Sequence, residues 1–228
     1  LAESTTLVIT TLILDNLFYI LAIPLVLMSI TNSALFPESM NWFKSGGMSF
    51  FWIGYVLLVI FNLLLVVSIF YSPKIIGGLV KAVYRLPFLK RRQKAGEQYA
   101  KDIAIASMKL KEKSGVDWIK LMLTTIWSWT ARFIVVNLVL AAFIAIDFGD
   151  HFLILARQLV MWLGMLITPT PGGSGVAEIA FSSLFQDYIA SIGVSALALA
   201  LIWRTLSYYP YLLIGAFVIP RWLRRSRD

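Results

Sequence analysis

The sequence predicts an all-α fold, a polytopic membrane helix bundle with a broken or re-entrant helix pair. Three observations carry that expectation. Hydrophobic residues fill 59% of the 228 positions and charged residues only 14%, against roughly 45–50% and about 25% in an ordinary globular domain. Four stretches are long and apolar enough to cross a bilayer, which takes about 20 residues. A run rich in Pro and Gly, Thr168–Gly175, then interrupts the apolar pattern near the C-terminal end. A soluble enzyme and a disordered chain are both excluded, because so few charges would leave large apolar patches in water.

The elements follow in order as parts of one transmembrane domain, 1–228. The first span, 5–30, carries Asp15 and Pro24. A polar connection over 32–47 follows, with Pro37 and a Gly46-Gly47 break. The second span, 50–71, has Asn62 as its main polar residue, and Pro73 ends it. Residues 73–113 then hold 11 Lys/Arg against 3 acids, which equals the whole net charge of +8. Within them Tyr99, Ile103, Ala106 and Leu110 are spaced for one helical face. Residues 96–113 therefore read as an amphipathic helix, either at the inner membrane surface or in a solvated loop. Lys90-Arg91-Arg92 would face anionic lipid in the first case.

The third span is 118–146, followed by Asp147, Asp150 and His151, with no Lys or Arg over 133–156. The apolar stretch 152–167 is short for a crossing. The Pro/Gly run, a short helix over 176–188 and a last span over 192–219 complete the pattern. Arg221, Arg224, Arg225 and Arg227 close the chain. Cytoplasmic loops carry the excess of Lys and Arg. By that rule 73–113 and the C-terminus are cytoplasmic, while 32–47 and 147–151 are external. Residues 152–188 must then dip in from the external side and return, as a re-entrant pair meeting at the Pro/Gly run. Broken backbone at membrane depth is tolerated where protein or a wet cavity covers it, and often lines a transport site. The basic segment lies between apolar spans, so no nucleic-acid partner is expected. With no Cys and a single His, thiolate chemistry and a His-rich metal site are excluded, and no cofactor is expected. Trp118, Trp162, Tyr188, Tyr208, Tyr209 and Trp222 read as interfacial belts or helix packing.

Two constellations carry candidate chemistry. In Pro169–Glu178 two prolines stop the preceding helix, and Gly172, Gly173 and Gly175 allow positive φ and close approach to a ligand. A helix starting near Gly175 would offer free N–H groups to an anion such as a lipid phosphate. Pro171, Gly172, Gly173, Ser174, Gly175 and Glu178 are thus candidate substrate-binding residues. No Lys follows the glycines, so this is not a P-loop, and no base neighbours Ser174 to make it a nucleophile. Glu178 in the first turn also reads as a helix cap. The second constellation is the set of ionisable residues inside apolar spans: Asp15, Arg132, Arg157, Glu178 and Arg204. Each costs about 2.5–3.5 kcal/mol at mid-bilayer and needs a partner or a wet cavity. Three arginines against two acids give an excess of buried positive charge, which suits an anionic head group. Arg204, Tyr208 and Tyr211 share one helical face, as do Asp15 and Tyr19. Glu178 and Arg204 are expected to pair. For each residue the alternative is an internal salt bridge that only holds the bundle together.

The run Pro-x-Pro-Gly-Gly-x-Gly-x-x-Glu from Pro169 to Glu178, followed by an apolar span with Arg204 and then Gly215, resembles the flippase-like transmembrane region of lysylphosphatidylglycerol synthases. That family includes stand-alone membrane proteins without the synthase domain. Asp15 is similar to the Asp of the family's Glu-Arg-x-x-Asp motif, whose Glu and Arg are here Thr11 and Leu12. Members also carry earlier spans with a Pro-x-Arg-x-Gly-Glu motif. Nothing like it precedes Asp15, so the chain reads as the C-terminal two-thirds of such a protein. The resemblance implies a translocase for a phospholipid or lipid-linked anionic head group in a bacterial or archaeal plasma membrane. It implies no aminoacyl-transferase activity in this chain. Its partners would be an anionic lipid and either a second copy or a lipid-modifying enzyme. Two other classes stay open. One is a membrane enzyme or subunit acting on lipid-linked sugars or aminoacylated phospholipid, with its acids among Asp15, Asp147, Asp150, Glu178 and Asp187. The other is a non-catalytic scaffold for a partner synthase.

Overall fold

The computed structural model describes residues 2–30, 32–37, 48–71, 78, 80, 82–85, 93–166, 168, 170–190 and 193–225. Lys90-Arg91-Arg92, Pro169, Arg227 and most of the 32–47 connection lie outside the described residues. All regular structure among the described residues is helical. In order it comprises α1 (Ala2–Ser29), α2 (Asn32–Leu35), α3 (Met48–Phe70), α4 (Gln93–Lys111), α5 (Gly115–Ala141) and α6 (Phe148–Leu166). A 3-10 turn (Pro171–Gly173), α7 (Val176–Leu184), α8 (Gln186–Ile189), α9 (Ala196–Ser207) and α10 (Tyr209–Arg225) follow. Among the described residues four stretches are long and apolar enough to span a membrane: Glu3–Ser29, Phe51–Phe70, Gly115–Ala141 and Ala196–Arg221. They coincide with the four expected spans to within a few residues, and the protein is a multi-pass helical membrane protein.

Two boundaries differ from the sequence reading. The third span ends at Ala141 rather than 146, and α6 begins at Phe148 rather than 152. The Asp147 N–H donates to Asp150 Oδ2 (3.2 Å). A carboxylate reaching back to the N-cap N–H satisfies a donor that the helix leaves open, so the acidic pair starts α6 early. The last span is two helices joined at Tyr208, with φ −121° and ψ −52°. Pro210 follows the joint; it has no N–H for the Leu206 carbonyl, and its ring crowds that carbonyl.

The chain forms two compact units, residues 1–22 with 55–127, and residues 23–54 with 128–228. The first is built on Ile13, Ile69 and Leu110, with Ile9, Leu65, Val66, Phe70 and Trp118 packed around them. Tyr55 Oη donates to the Ile20 carbonyl (2.9 Å), tying α3 to α1. The basic segment's helix, α4, buries Gly96, Ala100, Ile103, Ala106, Ser107 and Leu110, while Tyr99 stays exposed. Ser107 Oγ donates to the Ile69 carbonyl. The apolar face of α4 is therefore covered by protein, not offered to lipid or water as the sequence reading had it. Gly96 is required there: a Cβ would meet the Tyr84 ring at 2.7 Å. A capping box starts α5, with Ser114 N–H on Asp117 Oδ2 (3.0 Å) and Asp117 N–H on Ser114 Oγ (3.2 Å).

The second unit packs α7 between α6 and α9. Ile154, Leu159, Met161 and Leu163 of α6, Phe181 and Leu184 of α7, and Leu199, Ala200 and Trp203 of α9 are buried. Phe181 stacks on Trp203 at 5.2 Å between ring centroids and 15° between planes. Side chains of α7 recur on one face at 177, 181 and 184, the helical spacing that an apolar stripe needs to be covered by its neighbours. This packing holds the Pro/Gly loop, which enters α7, against the end of α9.

Candidate functional site

The Pro/Gly loop is shaped by its glycines. Gly172, Gly173 and Gly175 adopt φ of 64°, 67° and 87°, a region that disfavours side chains. At Gly172 a Cβ would also lie 2.5 Å from Tyr208 Oη, so both backbone conformation and space demand Gly. The loop ends in α7, whose N-cap is Gly175. Glu178, three residues on, turns back and its Oε2 accepts the Gly175 N–H at 2.6 Å.

The same carboxylate faces α9. Glu178 Oε1 lies 3.1 Å from Arg204 Nε, with both side chains largely buried. Arg204 Nη2 donates to the Gly172 carbonyl at 2.9 Å. One arginine thus ties the loop, the first turn of α7 and α9 together. The expected Glu178–Arg204 pair is present, and Glu178 caps its helix as well. Arg204 also sits 5.1 Å from the ring centroids of Trp203 and Tyr208. Its Nη1 makes no hydrogen bond to any described residue.

A cavity of about 460 Å³ opens beside this clamp. Arg132, Arg204, Gly172 and Gly173 line it, with Thr168, Thr170, Ser207 and Gln158 as neutral polar groups. Trp162, Met165, Leu166, Trp203, Tyr208 and Tyr211 form its apolar and aromatic walls. Arg132 is exposed, not buried as the sequence reading had it. Its guanidinium lies 4.7 Å from the Trp129 ring centroid, and Trp129 meets Trp162 edge-on at 5.0 Å.

Arg157 is separate from the cavity. It is 2% exposed and grips Asp187 with both terminal nitrogens, at 2.6 and 2.7 Å. The same nitrogens donate to the carbonyls of Leu184 (2.8 Å) and Ala34 (2.7 Å). Beside it Tyr188 Oη donates to Asp150 Oδ1 (2.8 Å). Burial and the Asp150 carboxylate push the Tyr188 phenol well up from its ordinary value, so it remains a neutral donor. His151 Nδ1 lies 2.8 Å from Asn137 Oδ1.

The structure therefore brings Gly172, Gly173, Arg132 and Arg204 around one cavity, with Glu178 behind Arg204. Ser174 and Gly175 are exposed on the loop, and the Pro171 side chain is outside the described residues. Asp15 is half-buried on α1 in the other unit. The expected excess of buried positive charge does not hold. Arg157 and Arg204 each have a carboxylate, because the fold supplies Asp187 from a helix that lies outside the apolar spans. Sequence reasoning missed Asp187 as the partner of Arg157, and read Trp162 and Tyr208 as belt or packing residues. The shared helical face of Arg204, Tyr208 and Tyr211 was the one available signal for the cavity wall. Among the described residues no group of three or more His, Cys, Asp or Glu side chains gathers as a metal site.

The family model of the lysylphosphatidylglycerol synthase TM region matches residues 1–215. The chain belongs to this family. A relative described as a UPF0104 membrane protein, from Archaeoglobus fulgidus, is 25% identical over 225 residues. That match covers 94% of this chain and 63% of the relative, so the chain spans less than two thirds of the relative's length. No solved structure matches. The part shared with the lysylphosphatidylglycerol synthase TM region contains every residue of the cavity and both arginine clamps.

Proposed function

We propose that this protein moves an anionic lipid head group between leaflets, as a flippase-like translocase of a bacterial or archaeal plasma membrane. The observation that carries this reading is the cavity in which Gly172, Arg204 and Arg132 meet walls of Trp162, Trp203, Tyr208 and Met165. Arginine donors match phosphate oxygens, while apolar and aromatic walls suit the glycerol and acyl stem. A charged group crossing bare hydrocarbon loses its hydration with nothing in return, and a lined cavity restores hydrogen bonds on the way. The loop between α6 and α7 fits a re-entrant pair over 152–188, with residues 73–113 and the C-terminus cytoplasmic by their charge. We read the protein as a carrier without catalysis, since Glu178, Asp187 and Asp150 are engaged with Arg204, Arg157 and Tyr188.

The test is reconstitution in liposomes with a fluorescent anionic phospholipid and a quencher restricted to the outer leaflet. Wild-type protein should speed head-group exchange, and folded E178Q and R204Q should slow it. No exchange by folded wild-type protein ends the translocase reading. A chemically altered lipid recovered from the same vesicles would replace it with the enzyme reading. Cysteines introduced at Lys101 and Gly149 should label from opposite faces of the membrane, and labelling from one face would overturn the topology.

A further inference from the structure

Among the described residues, Arg132 has no carboxylate partner, unlike Arg157 and Arg204. It lies on α5, inside a stretch apolar enough to span a membrane. Among the described residues it makes no ion pair or hydrogen bond; its recorded contact is the Trp129 ring, at 4.7 Å. An arginine in such a span is retained at a cost, and an anion offsets it. Held against an aromatic face, a guanidinium keeps its N–H edge for a planar, bidentate acceptor.

Arg132 and Arg204 line the same cavity, but their charges are not equivalent. Glu178, 3.1 Å from Arg204, cancels that charge. Among the described residues that line it, the cavity is left with one net positive charge, on Arg132. No carboxylate is among the described residues that line it. Two of the aromatic walls, Trp203 and Tyr208, already face the Arg204 guanidinium.

We infer that Arg132 sets the charge class of the substrate: the cavity takes a singly charged phosphodiester head group that carries no amine. An amine would meet arginine where it needs a carboxylate. A phosphomonoester, with nearly two charges at neutral pH, would keep one of them uncompensated between apolar walls. This inference rests on the translocase reading and narrows it.

The test uses the same liposomes with four fluorescent lipids that differ only in head group. They are a glycerol phosphodiester, an ethanolamine phosphodiester, the lysyl ester of the first, and a phosphomonoester. Wild-type protein should move the glycerol phosphodiester about tenfold faster than the other three, the scale of one charge-assisted hydrogen bond. R132Q should bring its rate down to that of the ethanolamine lipid, and R132K should restore most of the preference. Equal movement of all four lipids by wild-type protein overturns the inference while the translocase reading stands, and so does a preference that survives in folded R132Q. No movement of any lipid by folded protein overturns the translocase reading itself. Soluble glycerophosphoglycerol, added at millimolar concentration, should leave exchange nearly unchanged. Strong competition by it, with no discrimination among the lipids, would overturn the lipid source in favour of a free phosphodiester.

Discussion

Two buried arginines in the second unit invite comparison. Arg157 and Arg204 are 2% and 4% exposed, and each meets a carboxylate. Arg157 commits both terminal nitrogens to the fold, gripping Asp187 at two points and capping the carbonyls of Leu184 and Ala34. Arg204 commits Nη2 to Gly172 and faces Glu178 through Nε, and it lines a cavity with Nη1 unbonded among the described residues. Burial and pairing are therefore common to a structural clamp and a candidate binding group. What separates them is the number of donors left over and whether a cavity lies beside them.

The largest effect should come from breaking the committed clamp. Arg157→Gln removes the charge opposite Asp187 and leaves two backbone carbonyls short of a donor. Losing one partner of a buried pair costs about 3–5 kcal/mol, and the half-exposed Asp187 puts this case at the lower end. A fall in Tm of roughly 10 °C in detergent should follow. A Tm within a few degrees of wild type would show that Arg157 is not what holds α7 and α8 to α6.

Gly172→Ala should rank next. The φ of 64° and a Cβ 2.5 Å from Tyr208 Oη act together. Gly175 has φ of 87° but nothing within 4 Å of its would-be Cβ. Alanine at 175 should therefore cost only the conformational part, about 1 kcal/mol, and at 172 clearly more. Equal losses of Tm in the two variants would remove the close approach of Tyr208 from the account.

Asp187→Asn and Glu178→Gln sharpen the comparison most directly. Both neutralise the partner of a buried arginine and should lower stability by about 1–3 kcal/mol. For Asp187→Asn, lipid exchange per folded molecule should stay near wild type. For Glu178→Gln it should drop, because Arg204 loses the contact that aims it. Exchange that tracks folded protein equally in both variants would make the two clamps the same kind of object.

The smallest effect on stability belongs to Arg132→Gln. Arg132 is exposed and has no ion pair among the described residues, so Tm should move by no more than about 0.5 kcal/mol implies, one to two degrees. A large fall would mean that its contact with Trp129 holds the fold rather than presenting a charge.

Much of this molecule was readable from residues alone. The four spans follow from composition and length, since about 20 apolar residues have few alternatives to crossing a bilayer. The Pro/Gly loop follows from backbone chemistry: only glycine takes positive φ at little cost, and proline ends a helix. The Glu178–Arg204 pair was legible because both lie in apolar surroundings that penalise a lone charge.

Other features needed the tertiary structure. Asp187 sits outside any apolar span, so nothing in its sequence context marks it as the partner of Arg157 across 30 positions. The same periodicity in α4 is compatible with lipid, water or protein, and only the packing of its Leu110 with Ile13 and Ile69, and the Ser107 bond to Ile69, decided for protein. The early start of α6 turned on a hydrogen bond within an acidic pair that had read as loop. Arg132 and Arg204 are 72 positions apart, and no spacing rule joins them. They line one cavity because α5 meets α6, through Gln158 on the Phe133 carbonyl and Trp129 on Trp162, and α7 packs between α6 and α9. Sequence determined which residues are costly inside a membrane, through local chemistry. Which of them became partners, and which was left exposed without one among the described residues, was decided by contacts between helices far apart in the chain.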